Sequence, residues 1–518
     1  MALYAQRYML RGFASKCYIT SRRRISTLKV PDQTRFSYFL SPKDGTRDLL
    51  TNLSGHAVLE NSRGHDAAVV LATPDLTKQL DDQEFISGLV KLLSASASIS
   101  DFHLLCAVVD NIAPALGDVV PLQGISVLRG NVDSLLPQLW HPNPPREKAD
   151  KDSVAALTFS VGKSTVTLPL TRTTFHNNRA STLLSNRYSL SQGQPELKDR
   201  KEKQWQHVQI TLNQPVQSTT DLGLWAPLSP VTRARKITES FGNIVRGIEI
   251  GGKSTPASTE LEDSVNTMLA NRKATGSDQG PMGVWAVITP ETSESESLVL
   301  ADAPDPADTL EGRIVQRKDV ETTARYLEQQ HQLGSRTYQV CEYKWYLMCK
   351  VSQLTMSAVS GGGGWGPKKG LLSLDPQQTH FALSEAEEME RFMKTMDNSG
   401  FAPPGAHIQF FVPAMASPEI ITCPITGVVF GVPLGIETSG EAGTAPKGYL
   451  VADHFGALSS QGVYLSGRTD ADSASCYESK ISVPGCRIFV GNPEAKPGGF
   501  FNFLGSGSLA DAGTIALM

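Results

Sequence analysis

The sequence predicts an α/β N-terminal unit, followed by a mixed α+β, β-rich C-terminal part, in a multidomain chain. Three observations predict this fold class. The chain has 518 residues, enough for two to four cores at roughly 100 to 200 residues per domain. Apolar runs alternate with a helical pattern at 64–131, and short apolar segments separated by Gly and Pro follow residue 406.

Composition excludes several classes of protein. Hydrophobic residues at 40% and charged residues at 19% are typical of a globular chain and exclude collagen and fully disordered chains. The seven cysteines include no CxxC pair, and the ten histidines occur singly. We therefore predict no metal, no cofactor and no disulfide framework. No run of about 18 apolar residues occurs, so no membrane span is predicted.

Residues 1–31 have the composition of a mitochondrial transit peptide. They contain seven of the 48 Lys and Arg residues and none of the 52 Asp and Glu residues. An import helix needs a cationic face, and acidic residues would oppose its movement toward a negative interior. The predicted location is therefore the mitochondrial matrix. The alternative is a basic disordered tail that binds nucleic acid.

Residues 32–140 form the predicted α/β unit. The apolar runs at 67–72 and 102–109 are typical of buried strands, and 124–128 is a shorter third strand. Between the first two runs, apolar residues recur at helical spacing over 84–93. This alternation predicts a layered α/β structure.

Three segments of this unit resemble the N-terminal half of FIST-type sensory domains. They are HDAAVVLATPDL at 65–76, FHLLCAVVD at 102–110 and GISVLRG at 124–130. The resemblance implies a module that senses a small molecule such as an amino acid. The chain departs from the family at Leu105 and Cys106, where FIST-type domains tend to carry a Gly-Cys turn. In this apolar run, Cys106 is predicted to be a small buried hydrophobe.

A mixed α+β segment is predicted at 153–272, after a Pro-rich connector. Alternating apolar and polar residues predict a hairpin and a further strand. The charge run predicts a solvated loop, and the later residues of the segment predict two helices. Thr259 and Glu262 have capping-box spacing. The predicted ranges are 141–152 for the connector, 154–161 with 165–171 for the hairpin, 207–212 for the strand, 196–203 for the loop, and 233–240 and 259–269 for the helices.

An acidic flexible linker with one short strand, 284–288, is predicted at 273–312, because the stretch between Lys273 and Arg313 contains no basic residue. The C-terminal domain, 313–518, is predicted to be helical and then β-rich. Its predicted helices span 319–333, 338–358 and 384–396, and its predicted strands span 407–412, 419–432, 448–452, 462–465 and 486–490.

The glycine-rich segment 361–370 supplies the candidate binding residues. Successive glycines can present backbone N–H groups to an anion, and two lysines add positive charge. Pro367 and Gly370 exclude the helix that a dinucleotide fingerprint needs. The alternatives are a hinge anchored by an aromatic residue and a catalytic loop. The candidates are Gly361, Gly362, Gly363, Gly364, Trp365, Gly366, Lys368 and Lys369.

Two further patterns carry weaker hypotheses. Asp453 and His454 precede a serine pair, residues 459 and 460, and could supply a base and a nucleophile. A hydrogen-bonded or surface histidine is the simpler interpretation. Short basic clusters at 198–203 and 233–236 lie near Trp205 and Trp225, which would suit an RNA-contacting face. Solvated loops are the simpler interpretation.

The predicted function is non-catalytic binding of a small anionic or amino-acid-like ligand by a mitochondrial sensory protein. One alternative is an organellar gene-expression factor that contacts RNA or the ribosome. The other is a small-molecule enzyme that uses the glycine-rich segment.

Overall fold

The structure is a computed structural model that describes the following residues. These are 32–40, 49–54, 56, 64–94, 99–114, 123–141, 154–162, 164–190, 194–211, 222–274, 283–291, 303–313, 316–332, 335–340, 371–374, 393, 402–414, 427–434, 448–468 and 476–490. The predicted transit peptide, the glycine-rich segment 361–370 and nearly all of the predicted helix 384–396 lie outside them.

The predicted fold class is confirmed: the chain is mixed α+β, rich in sheet, and built from several sheets. The strands are β1 (Thr34–Phe39), β2 (Ala67–Ala72), β3 (Asp101–Val108), β4 (Asn111–Ile112), β5 (Gly124–Gly130), β6 (Ala156–Val161), β7 (Ser164–Pro169), β8 (Leu183–Ser189), β9 (Glu196–Glu202), β10 (Trp205–Gln209), β11 (Leu222–Trp225), β12 (Leu228–Pro230), β13 (Arg235–Phe241), β14 (Ile244–Ile250), β15 (Lys253–Pro256), β16 (Trp285–Thr289), β17 (Arg336–Gln339), β18 (Leu372–Ser373), β19 (His407–Pro413), β20 (Gly427–Gly431), β21 (Tyr449–Ala452), β22 (His454–Leu458), β23 (Val463–Arg468), β24 (Cys476–Ile481) and β25 (Arg487–Val490).

The helices are fewer and mostly short. They are α1 (Leu49–Leu53), α2 (Thr77–Asp81), α3 (Gln83–Leu93), α4 (Val132–Leu135), α5 (Thr174–Asn177), α6 (Ala257–Ala274), α7 (Ala307–Leu310) and α8 (Arg317–Gln332), with a 3-10 turn at Pro74–Leu76. No helix among the described residues is long and apolar enough to cross a membrane.

Four sheets organise these strands. Sheet 1 has seven strands in the order β21-β1-β5-β2-β3-β8-β9. Sheet 2 has the order β10-β6-β7-β23-β24, and sheet 3 has the order β11-β25-β20-β22-β4. Sheet 4 follows β15-β14-β13-β19-β16-β17, with β12 paired to β19 and β18 to β14.

Strands from distant parts of the chain share sheets. In sheet 1, β1 pairs with β21, and in sheet 2, β7 pairs with β23. In sheet 3, β11 pairs with β25. In sheet 4, β13 pairs with β19 and β14 with β18. The predicted domain boundaries stay a prediction, but all four sheets join strands from before the acidic stretch 273–312 to strands that follow it.

The two faces of sheet 1 bury different cores. On one face, Val70, Leu104 and Cys106 pack with apolar residues of α2 and α3. On the other face, residues of opposite parity, such as Val69 and Leu105, pack with sheets 2 and 3. Strands β2 and β3 are therefore apolar on both faces, which explains the continuous runs in the sequence.

Helix α3 shows how local chemistry defines an element. The Asp82 carboxylate accepts a hydrogen bond from the backbone N–H of Glu84 at 3.0 Å, which satisfies one free donor at the helix start. At the other end, the buried Arg129 donates from Nη2 to the carbonyl of Leu93 at 2.5 Å. A cation at that position also interacts favourably with the helix dipole.

Several local predictions were wrong. The charge run at 196–203 forms the edge strand β9 instead of a loop, and 233–240 forms part of β13 instead of a helix. The helix predicted at 338–358 begins in strand β17. Helix α6 starts at Ala257, so Thr259 lies inside it and does not cap it.

Candidate functional site

The carboxyl ends of β2 and β3 form the most plausible binding edge of sheet 1. These two strands are parallel neighbours. After β2 the chain enters α2 and α3, which cover one face of the sheet. After β3 it enters β4, which pairs with β22 of sheet 3 on the opposite face. In open α/β sheets, ligands bind where two neighbouring strands send the chain to opposite faces. We call this edge the switch-point edge.

Asp110 is a charged group at the switch-point edge. It follows β3, and its Oδ2 accepts hydrogen bonds from the backbone N–H of Ser460 at 2.6 Å and from the Ser460 hydroxyl at 2.7 Å. Among the described residues, its Oδ1 has no hydrogen-bond partner. A carboxylate with one oxygen fixed and the other free is oriented to accept a donor from a ligand.

Thr73, directly after β2, connects the switch-point edge to the start of β5. Its hydroxyl oxygen accepts a hydrogen bond from the backbone N–H of Gly124 at 3.0 Å, and the Thr73 N–H donates to the Gly124 carbonyl at 3.1 Å. Gly124 has φ of +152°, and a Cβ there would lie 2.0 Å from the carbonyl oxygen of Tyr38. The glycine therefore lets β1 and β5 approach closely beside the site.

A second rim of the switch-point edge comes from sheets 2 and 3. The N–H of Thr171, after β7, donates to the Val108 carbonyl at 3.2 Å. Gln461, after β22, donates from Nε2 to the Leu170 carbonyl at 3.1 Å. Three sheets thus meet around Asp110, and the side chain that orients its carboxylate lies 350 positions away in the chain.

A buried polar network joins sheet 1 to sheet 3 near the start of β22. Ser37 and Ser126 face each other across β1 and β5, with their Oγ atoms 2.8 Å apart. Ser126 Oγ accepts from the Gly456 N–H at 3.0 Å, and Ser37 Oγ donates to the His454 carbonyl at 3.4 Å. The two hydroxyls therefore satisfy backbone groups at the start of β22, before the residues at which β4 pairs with it.

His454 belongs to this network. Its Nδ1 lies 2.7 Å from Ser37 Oγ, and its Nε2 is buried without a hydrogen-bond partner in the described part of the chain. Burial, followed by the positive charge of Arg35, lowers the pKa of His454 to about 4. The ring is neutral at physiological pH, and its full burial keeps it away from a substrate.

The residues that suggested a base and a nucleophile are separated by the structure. Asp453 pairs with Arg35, 2.6 Å between Oδ1 and Nε, and takes a φ of +54° at the corner between β21 and β22. Ser460 bonds to Asp110, and Ser459 Oγ is buried without a partner among the described residues. The simpler interpretation, a hydrogen-bonded histidine, describes His454.

The basic clusters are largely paired with carboxylates. Arg235 pairs with Glu260 at 2.6 Å, and Lys236 pairs with Glu291 at 2.7 Å. In β9, Arg200 pairs with Asp81 at 2.6 Å. Trp225 is buried, and Trp205 is half-buried and donates from Nε1 to Thr158 Oγ1 at 2.8 Å. RNA contact stays a prediction.

Lys203, in the first of these clusters, is a buried amine. It donates from Nζ to the carbonyl of Leu139 at 2.6 Å and to Gln206 Oε1. Burial, and then the charge of Lys201, lowers the pKa of Lys203 to about 8. Its hydrogen bonds attach the segment after α4 to the turn between β9 and β10.

The glycine-rich candidates, Gly361–Gly364, Trp365, Gly366, Lys368 and Lys369, lie outside the described residues, and their role stays a prediction. Among the described residues, no three His, Cys, Asp or Glu side chains group as metal ligands. No family model, no curated protein and no solved structure matches this chain. The resemblance to FIST-type domains therefore also stays a prediction.

Sequence reasoning missed Asp110 and Ser460 as partners. Both lie in short polar segments that follow apolar strands, a pattern that can indicate the carboxyl end of a buried strand. The signal for Asp110 was available, because it directly follows the run at 102–109. No sequence signal indicates the pairing of Asp110 with Ser460, because that pairing depends on how β22 packs against sheet 1.

Proposed function

We propose that this protein binds a small amine-bearing ligand, such as an amino acid, at the switch-point edge, and that this binding is sensory rather than catalytic. The observation that carries the proposal is the Asp110 carboxylate, whose Oδ2 is fixed by Ser460 while its Oδ1 has no hydrogen-bond partner in the described part of the chain. An ammonium group can donate to Oδ1 in a charge-assisted hydrogen bond. The resemblance to FIST-type sensory domains supports the same class of ligand.

The transit peptide predicted for residues 1–31 would place the protein in the mitochondrial matrix, where amino acids and amines could reach this site. A fluorescent reporter that carries residues 1–31 should accumulate in mitochondria. A reporter that stays cytosolic would remove this part of the proposal.

The ligand proposal is tested by thermal unfolding of the full chain with each of the twenty common L-amino acids and with simple primary amines. A ligand at 100 times its Kd should stabilise the folded state by about 2.7 kcal/mol and raise Tm. Asp110→Asn keeps the shape and an oxygen for Ser460 but removes the charge. Because a hydrogen bond to a charged group contributes about 1.5–3 kcal/mol, the variant should bind the same compound about 10- to 100-fold more weakly.

The matched control is Asp453→Asn, at the opposite end of sheet 1, where the carboxylate already pairs with Arg35. This variant should bind the compound as the unaltered chain does. The proposal fails if no amino acid or amine raises Tm, or if Asp110→Asn binds the active compound with unaltered affinity.

A further inference from the structure

A fully exposed phenyl ring projects from the segment between β7 and β8. Phe175 lies in α5 and has no appreciable burial. Phe241 and Met393 are the other large apolar side chains exposed in the described part of the chain, and both are partly covered. We call residues 172–179 the Phe175 loop.

The backbone of the Phe175 loop is held closed at its base. Arg172 and Ser181 form an isolated bridge, and the Thr173 N–H donates to the Ala180 carbonyl at 3.2 Å. The Thr173 hydroxyl lies 2.8 Å from the hydroxyl of Thr182. These bonds fix both arms of the loop, so little backbone freedom remains to be lost on binding.

Side chains attach the loop to α2. Arg179 donates from Nη1 to both carboxylate oxygens of Asp81, at 2.7 and 2.8 Å. Asn177 donates from Nδ2 to Asp81 Oδ2 and to Thr182 Oγ1, each at 3.0 Å. These charged hydrogen bonds hold the pKa of Asp81 below its ordinary value despite the opposing effect of burial. The loop therefore presents Phe175 from a constrained base.

The Phe175 loop contains two arginines, Arg172 and Arg179, and no carboxylate. Residues 153–195 contain no Asp or Glu. Arg172 is exposed and forms no ion pair with any described residue, and His176 beside the ring is also exposed. The two carboxylates that contact the loop through Arg179, Asp81 and Glu202, are paired with arginines. A partner should therefore carry negative charge around the position of the ring.

We propose that the Phe175 loop docks on a protein partner that offers an apolar pocket bordered by carboxylates. A constrained aromatic side chain that fills a pocket is the common form of an interface hot spot. A membrane surface fits less well, because even a myristoyl chain gives only marginal binding and one ring buries far less apolar area. Thr171 connects the loop to the switch-point edge. A partner-binding surface next to the proposed ligand site suits a sensory protein.

The test places the photoreactive residue p-benzoylphenylalanine at position 175 of the full chain in the cells that make it, with position 241 as the matched control. The expected result is a discrete protein adduct at 175 that is absent at 241. The cross-linked peptide should map to an apolar pocket with Asp or Glu at its border.

The identified partner is then purified and its Kd for the full chain is measured. Phe175→Ala should weaken the complex roughly 30-fold, the loss typical of a hot spot. Arg172→Glu should weaken it further at low salt, and Phe241→Ala should leave the Kd unchanged. All three substitutions change exposed side chains and leave the core intact, so folding is preserved.

Several outcomes overturn the proposal: no adduct beyond the control, an adduct to lipid or to a second copy of this chain, or an unaltered Kd for Phe175→Ala. Failure here is distinguishable from failure of the ligand proposal, because the Asp110→Asn experiment does not involve the loop.

Discussion

His454 shows how one side chain can connect two sheets and make the stability of the fold depend on pH. Its ring bonds to Ser37 of sheet 1, while its backbone begins β22 of sheet 3. Protonation would place a charge in a fully buried position close to Arg35, so the folded state favours the neutral ring. The same effect, partial burial of the ring, also lowers the pKa of the half-buried His331 to about 4.

These two histidines predict an acid-sensitive fold. An unfolded histidine has a pKa of about 6.5, whereas the pKa of His454 in the folded state is about 4. The contribution of each such histidine to the free energy of unfolding should be fully present above pH 6.5. It should decrease by about 1.4 kcal/mol per pH unit as pH falls toward 4. Urea unfolding of His454→Gln between pH 6.5 and 4.5 should show a decrease that is smaller by roughly 2 kcal/mol.

His176→Gln is the control for this experiment, because His176 is exposed. It should reproduce the pH dependence of the unaltered chain. A His454→Gln variant with the full dependence would show that His454 is not buried in its neutral form.

At the scale of the element, β22 depends on a close approach that only glycine permits. A Cβ at Gly456 would lie 1.9 Å from the carbonyl oxygen of Val429 in the parallel strand β20. The backbone N–H of Gly456 also donates to Ser126. Any side chain at this position would push β22 away from one sheet or the other.

Gly456→Ala should therefore lower the free energy of unfolding by about 3 kcal/mol, as overpacking in a fixed core does. Gly64→Ala provides the comparison, because Gly64 has φ of +94° and open space around its Cα. It should cost only the backbone strain, about 1 kcal/mol. Chemical denaturation measures both, and equal losses would contradict the steric explanation.

The elements also show what the sequence can predict. Strands β2 and β3 and helix α3 lie where the apolar patterns predicted them. Burial on both faces leaves a continuous apolar run, and burial of one helical face leaves a periodic one. Strand β9, ELKDRKE, has no such signal, since it is exposed on nearly every side chain at the edge of sheet 1. Charges there disfavour pairing with another chain. The site needed contacts between Asp110 and Ser460, which no local pattern contains.

At the scale of the whole molecule, the shared sheets predict how the chain responds to proteolysis. The acidic stretch 273–312 has few apolar groups outside β16 and α7, so a protease should cut within it. The two fragments should remain associated, because β1, β7 and β11 pair with strands that follow the cut. Denaturing gels should show two fragments while size-exclusion chromatography shows one species. Fragments that separate without denaturant would contradict this.

The pairing of β1 with β21 cannot form until late in translation. Arg35 and Asp453, which meet at this pair, are 418 positions apart. At about 5 to 20 residues per second, translation needs roughly 20 to 80 s to deliver the second strand after the first. During that interval one edge of β1 lacks its partner, and unpaired edges promote aggregation. The nascent chain is therefore expected to need a chaperone that holds it until its last strands have been made.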